Sequence, residues 1–186
     1  MDISLDSHIQ FQQPVKRVFL WGMMGVGKSS YAKRLAHLLS WKAIDLDVEI
    51  EGKYGKSIAE LFEENGELAF REIERAVLNE VVLQEDVVIA TGGGSPCFGD
   101  SSALMKESGL CVWLDAPMGL LVHRIQHAKV KRPLVDGLSK DQMTERLNEL
   151  MDKRHQYYSK AHMIISVHNI AEKDALNLLV NLIEGK

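Results

Sequence analysis

The sequence predicts an α/β domain built on a parallel sheet, and two observations carry that expectation. Short apolar runs alternate with amphipathic helical stretches, and a glycine-rich turn ending in Lys28-Ser29 joins the first run to the first helical stretch. The runs Val18 to Trp21, Ala43 to Ile44, Val87 to Ala90, Cys111 to Leu114 and Met163 to Val167 read as strands. Between them Ala32, Leu35, Ala36 and Leu39 recur at helical spacing, as do Phe70, Ile73, Val77, Leu78 and Val81. Each set forms one apolar stripe that would cover a sheet face.

Helix boundaries are marked by their capping chemistry. Ser57 with Glu60, and Ser139 with Gln142, fit the capping box, in which two side chains satisfy backbone N–H groups that have no partner inside the helix. Pro117 suits a first helical turn. Gly55 and Gly109 stand where a left-handed residue could end a helix.

A length of 186 residues with 46% hydrophobic composition supports a single compact domain. We expect it over residues 16–186, preceded by an N-terminal extension at residues 1–15, with no repeat or linker. The formal charge of −4 is spread along the chain, which argues against a broad nucleic-acid or membrane-surface footprint, so any cationic site must be local. Cys97 and Cys111 are too few and too distant for a disulfide framework or a CxxC metal site, and are expected as reduced thiols in the cytoplasm. Residues 1–13 lack the features of a secretion signal, and no apolar run has the length of a membrane span.

The most specific signal is Gly22-Met23-Met24-Gly25-Val26-Gly27-Lys28-Ser29, which fits GxxxxGK[ST] in the required strand-to-helix context. Its glycines allow backbone N–H groups to cradle phosphate oxygens at a helix N-terminus. Lys28 would reach the β- and γ-phosphates, and the Ser29 hydroxyl would ligate Mg²⁺. ATP is therefore the expected co-substrate.

Nucleotide binding does not name a reaction, so the acceptor side must be found elsewhere. Asp45 and Asp47 follow the second strand, Arg71 lies on a helix, Gly92-Gly93-Gly94 follow the third strand, and Arg154 stands near the end of a late helix. In a parallel sheet the C-terminal strand edges converge on one crevice. Three of these features have a plainer alternative: Asp47 as a helix N-cap, Arg71 as a surface pair with Glu67, the glycines as a flexible turn. Arg154 shares a stripe with Leu147, Leu150 and Met151, so its guanidinium should emerge from a packed face. Two arginines meeting at one site would favour a small carboxylate over a neutral sugar. The basic stretch Ala128 to Gly137 could be a lid or a solvated charge run. His123 and His127 share a helical face, but no third metal ligand is evident and solvent exposure is expected.

Taken in order, GMMGVGKSS, DLD, GELAFREIE, ATGGG, KRPL and KRHQYY resemble the motif set of the shikimate kinases, from about Arg17 to the C-terminal helix. The resemblance implies a P-loop three-layer sandwich of the nucleoside-monophosphate-kinase type, with a five-stranded parallel sheet flanked by helices and a mobile lid at about 128–139. It implies Mg²⁺-dependent transfer of the ATP γ-phosphate to the 3-hydroxyl of shikimate, giving shikimate 3-phosphate and ADP in aromatic amino acid (chorismate) biosynthesis. By the same resemblance Asp47, Lys28 and Arg132 carry catalysis. ATP falls to Gly25, Val26, Gly27, Lys28, Ser29 and Ser30, with Arg124 near adenine and Arg132 over the phosphates. Shikimate falls to Asp47, Arg71, Gly92, Gly93, Gly94 and Arg154, and magnesium to Ser29 and, through water, Asp45. The pattern departs from the family after the last strand, where His168-Asn169-Ile170 replace an arginine that often contacts adenine. The competing expectations are another small-molecule kinase, such as a gluconate kinase, or a nucleotide-dependent binding module. A monomer acting on small molecules, without nucleic acid or membrane, is expected.

Overall fold

The structure is a computed structural model and describes residues 3–5, 14–128 and 132–185. The chain runs through Ile3–Leu5 (β1), Arg17–Trp21 (β2), Lys28–Leu39 (α1), Lys42–Asp45 (β3), Leu46–Tyr54 (α2), Ile58–Val81 (α3) and Val87–Ala90 (β4). A 3-10 turn at Ser95–Cys97 follows, then Ser101–Ser108 (α4), Leu110–Asp115 (β5), Met118–Gln126 (α5), Lys140–Tyr158 (α6), Met163–Ser166 (β6) and Glu172–Glu184 (α7).

The sheet order is β1-β6-β5-β2-β4-β3. The five strands from β6 to β3 are mutually parallel, as expected, and helices flank them. Every residue of β4, and nearly every residue of β2 and β5, is buried. Burial on both faces is why these strands read as unbroken apolar runs rather than alternating ones. Helix α1 packs on β2, β3 and β4 and against α7, while α4 packs on β5. The chain leaves β2 in one direction, to β3 and β4, and later crosses to β5 on the other side. This reversal opens a crevice beyond the C-terminal ends of the central strands.

Part of the segment expected as an extension joins the sheet: β1 lies antiparallel beside β6, with Ile3 opposite Ile165 and Leu5 opposite Met163. A three-residue strand is too short to show periodicity, so the sequence offers no signal for it. Both capping boxes form, and Gly55 ends α2 in the left-handed region at φ 65°. Two local expectations need correction. Gly109 is extended, at φ 177°, and its requirement is spatial, because a Cβ there would stand 2.4 Å from the Arg17 carbonyl oxygen. Pro117 occupies the cap position before α5 rather than its first turn.

Helix α3 breaks at Gly66, whose φ of 75° and ψ of 173° turn the chain before a second helical run begins at Glu67. This second run carries Arg71 and Glu74 to the crevice. Of the expected lid, residues 129–131 lie outside the described residues; Pro133 to Gly137 form turns, and Val135 is buried. Among the described residues no helix is long and apolar enough to cross a membrane.

Candidate active site

The phosphate loop leaves β2 at Gly22, where φ is 134° and a Cβ would stand 2.4 Å from the Leu114 carbonyl oxygen. Only glycine meets both conditions. Gly27, at φ 106°, precedes α1, whose first turn has neither a side-chain cap nor an acidic residue. Its N-terminal amides are therefore left for an anion, with the helix dipole in support. Ser29 and Ser30 are exposed at this end. Lys28 Nζ donates to the carbonyls of Gly22 at 2.8 Å and Met23 at 3.1 Å. Burial pulls its pKa down to about 8, with Asp47 and Asp45 opposing the fall and Arg132 and Arg154 reinforcing it.

At the end of β3, Asp45 rather than Asp47 caps α2: Asp45 Oδ1 accepts from the Asp47 amide at 3.1 Å. The N-cap alternative for Asp47 is thereby removed, and its carboxylate faces the cleft. Although this side chain keeps an open side, the crowded cleft wall disfavours its charge. Desolvation first, then Glu74 and Asp45, push its pKa up to about 6 against the pull of Lys28 and Arg132. Asp45 spends Oδ1 on the cap, so Oδ2 is the oxygen it could offer a cation through water. With the Ser29 hydroxyl this makes a hard, all-oxygen donor set, which suits magnesium.

Arg71 is 8% exposed, so the surface-pair alternative does not describe it. It does meet Glu67, at 3.4 Å, but its closer partner is Glu74, which accepts from Nη1 at 2.7 Å. Burial works against the Arg71 charge, and Glu74 and then Glu67 overcome it, holding the guanidinium more firmly protonated. The rings of Phe62 and Phe70 lie 5.7 and 5.4 Å from its central carbon. Arg154 emerges from the packed stripe of α6, as expected, and is 5% exposed. Among the described residues no carboxylate pairs with it, and Nη1 lies 3.5 Å from Met23 Sδ.

The triple glycine runs between these groups. A Cβ on Gly92 would stand 2.2 Å from Glu74 Oε1 and 3.4 Å from Asp47 Oδ1. One on Gly93 would stand 3.0 Å from Arg154 Nη1, and one on Gly94 2.3 Å from Arg71 Nη2. Arg132 also reaches this crevice: burial lowers its pKa and the nearby Asp47 and Asp45 carboxylates oppose the fall. Its Nε is buried with no hydrogen-bond partner. Arg124, though on an exposed stretch of α5, donates from Nη1 to the carbonyls of Gly25 at 3.3 Å and Val26 at 3.0 Å.

The structure thus gathers Lys28, Asp45, Asp47, Arg71, Gly92, Gly93, Gly94, Arg132 and Arg154 at one crevice, with Arg124 on the outer side of the phosphate loop. It adds two residues that sequence reasoning gave no task. Glu74 is 2% exposed and holds both Arg71 and the Ser95 hydroxyl. Tyr158 is fully buried, and its hydroxyl donates to the Gly93 carbonyl. A signal for Glu74 exists: it falls on the apolar stripe of α3 with Phe70, Val77, Leu78 and Val81, where an acid needs a buried partner. Cys97 is partly buried and its thiol is pushed up to about 11 by burial, so it stays protonated. His123 and His127 are exposed and stacked at 4.4 Å, and no group of three metal-capable side chains occurs among the described residues.

Comparison with known proteins places the chain among relatives of known name. The family model described as shikimate kinase matches residues 24–184. The shikimate kinase of Parabacteroides distasonis is 41% identical over 167 residues, covering 90% of this chain and 96% of that protein. Among solved structures, the shikimate kinase of Bacteroides thetaiotaomicron superposes with a TM-score of 0.86 at 37% identity, covering 91% of this chain and 99% of that one. The shikimate kinase of Acinetobacter baumannii in complex with shikimate superposes with a TM-score of 0.84 at 33% identity, covering 92% and 94%. The fold, the phosphate loop and these relatives agree, and the chain belongs to the shikimate kinase family.

Proposed function

We propose that the chain transfers the γ-phosphate of ATP to the 3-hydroxyl of shikimate, giving shikimate 3-phosphate and ADP. The observation that carries this reading is the pair of buried guanidinium groups, Arg71 and Arg154, set against adjacent glycines of one loop and facing the phosphate-loop crevice. A buried cation without a carboxylate partner, as Arg154 is among the described residues, calls for an anion, and a small carboxylated acceptor supplies one. Arg71 and Arg154 hold that carboxylate while Gly92, Gly93 and Gly94 let the backbone approach the ring. The acceptor hydroxyl is thereby directed at Asp47.

Asp47 accepts the hydroxyl proton as the oxygen attacks, and a carboxylate near pKa 6 is ionised at neutral pH yet basic enough to take it. Gly25, Val26, Gly27, Lys28, Ser29 and Ser30 cradle the phosphates, and Lys28 and Arg132 neutralise charge on the moving group. Arg124 lies beside adenine. Ser29 and, through water, Asp45 would hold magnesium, which supplies charge neutralisation on the β- and γ-phosphates when bound. Closure of a lid at about 128–139 excludes water, so that transfer beats hydrolysis. We read residues 16–186 as one kinase domain, with β1 of the preceding segment added at the edge of its sheet, acting as a cytoplasmic monomer on small molecules.

The test is ADP release from ATP and Mg²⁺ with shikimate, gluconate, AMP or no acceptor. Shikimate-selective turnover is expected. Preference for gluconate or AMP would reassign the acceptor, and ATP binding without turnover would make the chain a nucleotide-dependent binding module.

A further inference from the structure

Three consecutive glycines form the most pliable backbone a chain can have, yet this loop must hold a defined shape beside the acceptor. The carbonyls of Gly92, Gly93 and Gly94 are all taken. Gly92 O accepts from the Ser95 amide at 3.2 Å, and Gly94 O accepts from the Cys97 amide at 2.9 Å. Both are local turns made by the loop itself. The middle carbonyl is different: Gly93 O is held by the Tyr158 hydroxyl, which reaches it from the last turn of α6.

We propose that Tyr158 is a positioning residue for phosphoryl transfer, its hydroxyl fixing the Gly93–Gly94 peptide plane and tying it to Arg154. A peptide unit is rigid, so holding the Gly93 carbonyl also sets the direction of the Gly94 N–H at the other side of the same plane. Gly94 lies against Arg71. The hydroxyl of Tyr158 therefore aims the amide that borders one guanidinium from a point beside the other. Tyr158 follows Arg154 by one helical turn, and their side chains converge at Gly93, where a Cβ would stand 3.0 Å from Arg154 Nη1 and 3.6 Å from Tyr158 Oη. Both also approach Met23 Sδ, at 3.5 Å from Arg154 and 3.9 Å from Tyr158, which joins the arrangement to the phosphate loop. The ring has a separate, packing task against Trp113, with centroids 5.6 Å apart.

This inference rests on the acceptor reading of Gly93, Gly94 and Arg154, and the experiment separates the two. Shikimate-selective turnover by the wild-type protein decides the acceptor reading before any variant is made. Tyr158→Phe then keeps the ring and removes the hydroxyl. It is expected to raise the shikimate KM about tenfold, with the ATP KM within about twofold and the Tm close to wild type. Tyr158→Leu, which also removes the ring, is expected to lower the Tm clearly. Unchanged shikimate kinetics in Tyr158→Phe, or shikimate and ATP parameters that worsen together, would overturn the proposal and leave Tyr158 as packing. A second measurement needs no variant: in the ¹⁵N spectrum of the wild-type protein the Gly94 amide should shift on titration with shikimate. A Gly94 amide that stays put under saturating shikimate also overturns it.

Discussion

Glu74 and Arg71 form a buried ion pair, with Glu74 Oε2 accepting from Arg71 Nη1 at 2.7 Å while Glu74 Oε1 takes the Ser95 hydroxyl. One carboxylate therefore sets the orientation of the guanidinium and pins the turn that follows the triple glycine. Glu74→Gln keeps the shape but loses the charge that fixes Arg71. Its shikimate KM should rise at least tenfold while the ATP KM stays within about twofold, as measured by initial rates. A shikimate KM like wild type would remove Glu74 from acceptor positioning.

The same carboxylate acts on Asp47. Because Glu74 is the second cause of the raised Asp47 pKa, after desolvation, the acid limb of kcat/KM for shikimate should fall near pH 6 in the wild-type protein. In Glu74→Gln that limb should move to lower pH. A limb that stays in place would show that Glu74 does not act on the titrating base.

Asp47 also carries a stability prediction. Its folded pKa of about 6 lies above the ordinary carboxylate value of about 4, so the folded state holds the proton more tightly than the unfolded chain. The resulting stabilisation is complete below about pH 4 and is lost as pH rises through about 6. Asp47→Asn should therefore have a higher Tm than wild type at pH 8, with the gain shrinking towards pH 4, while turnover falls at least a hundredfold. An equal or lower Tm at pH 8 would contradict the raised pKa.

Lys28 limits the other side of the profile. Held down to about 8 by burial, it loses its charge in the free protein as pH rises past that value, so kcat/KM for ATP should decline above pH 8. Bound phosphate favours the charged form, so the kcat limb should lie at higher pH than the kcat/KM limb. Lys28→Met should abolish turnover yet leave shikimate binding by calorimetry largely intact. Coincident limbs would argue against contact between Lys28 and the phosphates.

The five parallel strands, both capping boxes and the phosphate loop are legible in the sequence because each is set by neighbours along the chain, whereas the three-residue β1 is not. The strands show as apolar runs, Ser57 with Glu60 as a three-residue spacing, and Gly22 to Ser29 as an eight-residue pattern. Most of what stays hidden depends on residues far apart in the chain. Gly109 is fixed by the Arg17 carbonyl, Tyr158 by the Gly93 carbonyl and Arg124 by those of Gly25 and Val26. Asp45 and Asp47 stand two residues apart with the same side chain, and only the backbone turn into α2 decides which one caps it. Glu74 lies between: its place on an apolar stripe is visible, but its three-way contact is not.

The two clamp arginines should respond oppositely to removal of their charge. Arg71 is matched by Glu74, so Arg71→Met strands a buried carboxylate, a change that costs about 3–5 kcal/mol in comparable buried pairs. Arg154 has no carboxylate partner among the described residues, and its burial is a standing cost to the fold without a bound anion. Arg154→Met fills similar space and removes that cost. Both variants should raise the shikimate KM by about a hundredfold or more, but thermal unfolding without ligand should show a Tm well below wild type for Arg71→Met and at or above wild type for Arg154→Met. Saturating shikimate should then raise the wild-type Tm, because the anion supplies the charge Arg154 lacks, and should leave the Arg154→Met Tm almost unmoved. If Arg154→Met is instead as destabilised as Arg71→Met, then Arg154 holds the fold together through its own protein contacts and its burial says nothing about an anionic acceptor.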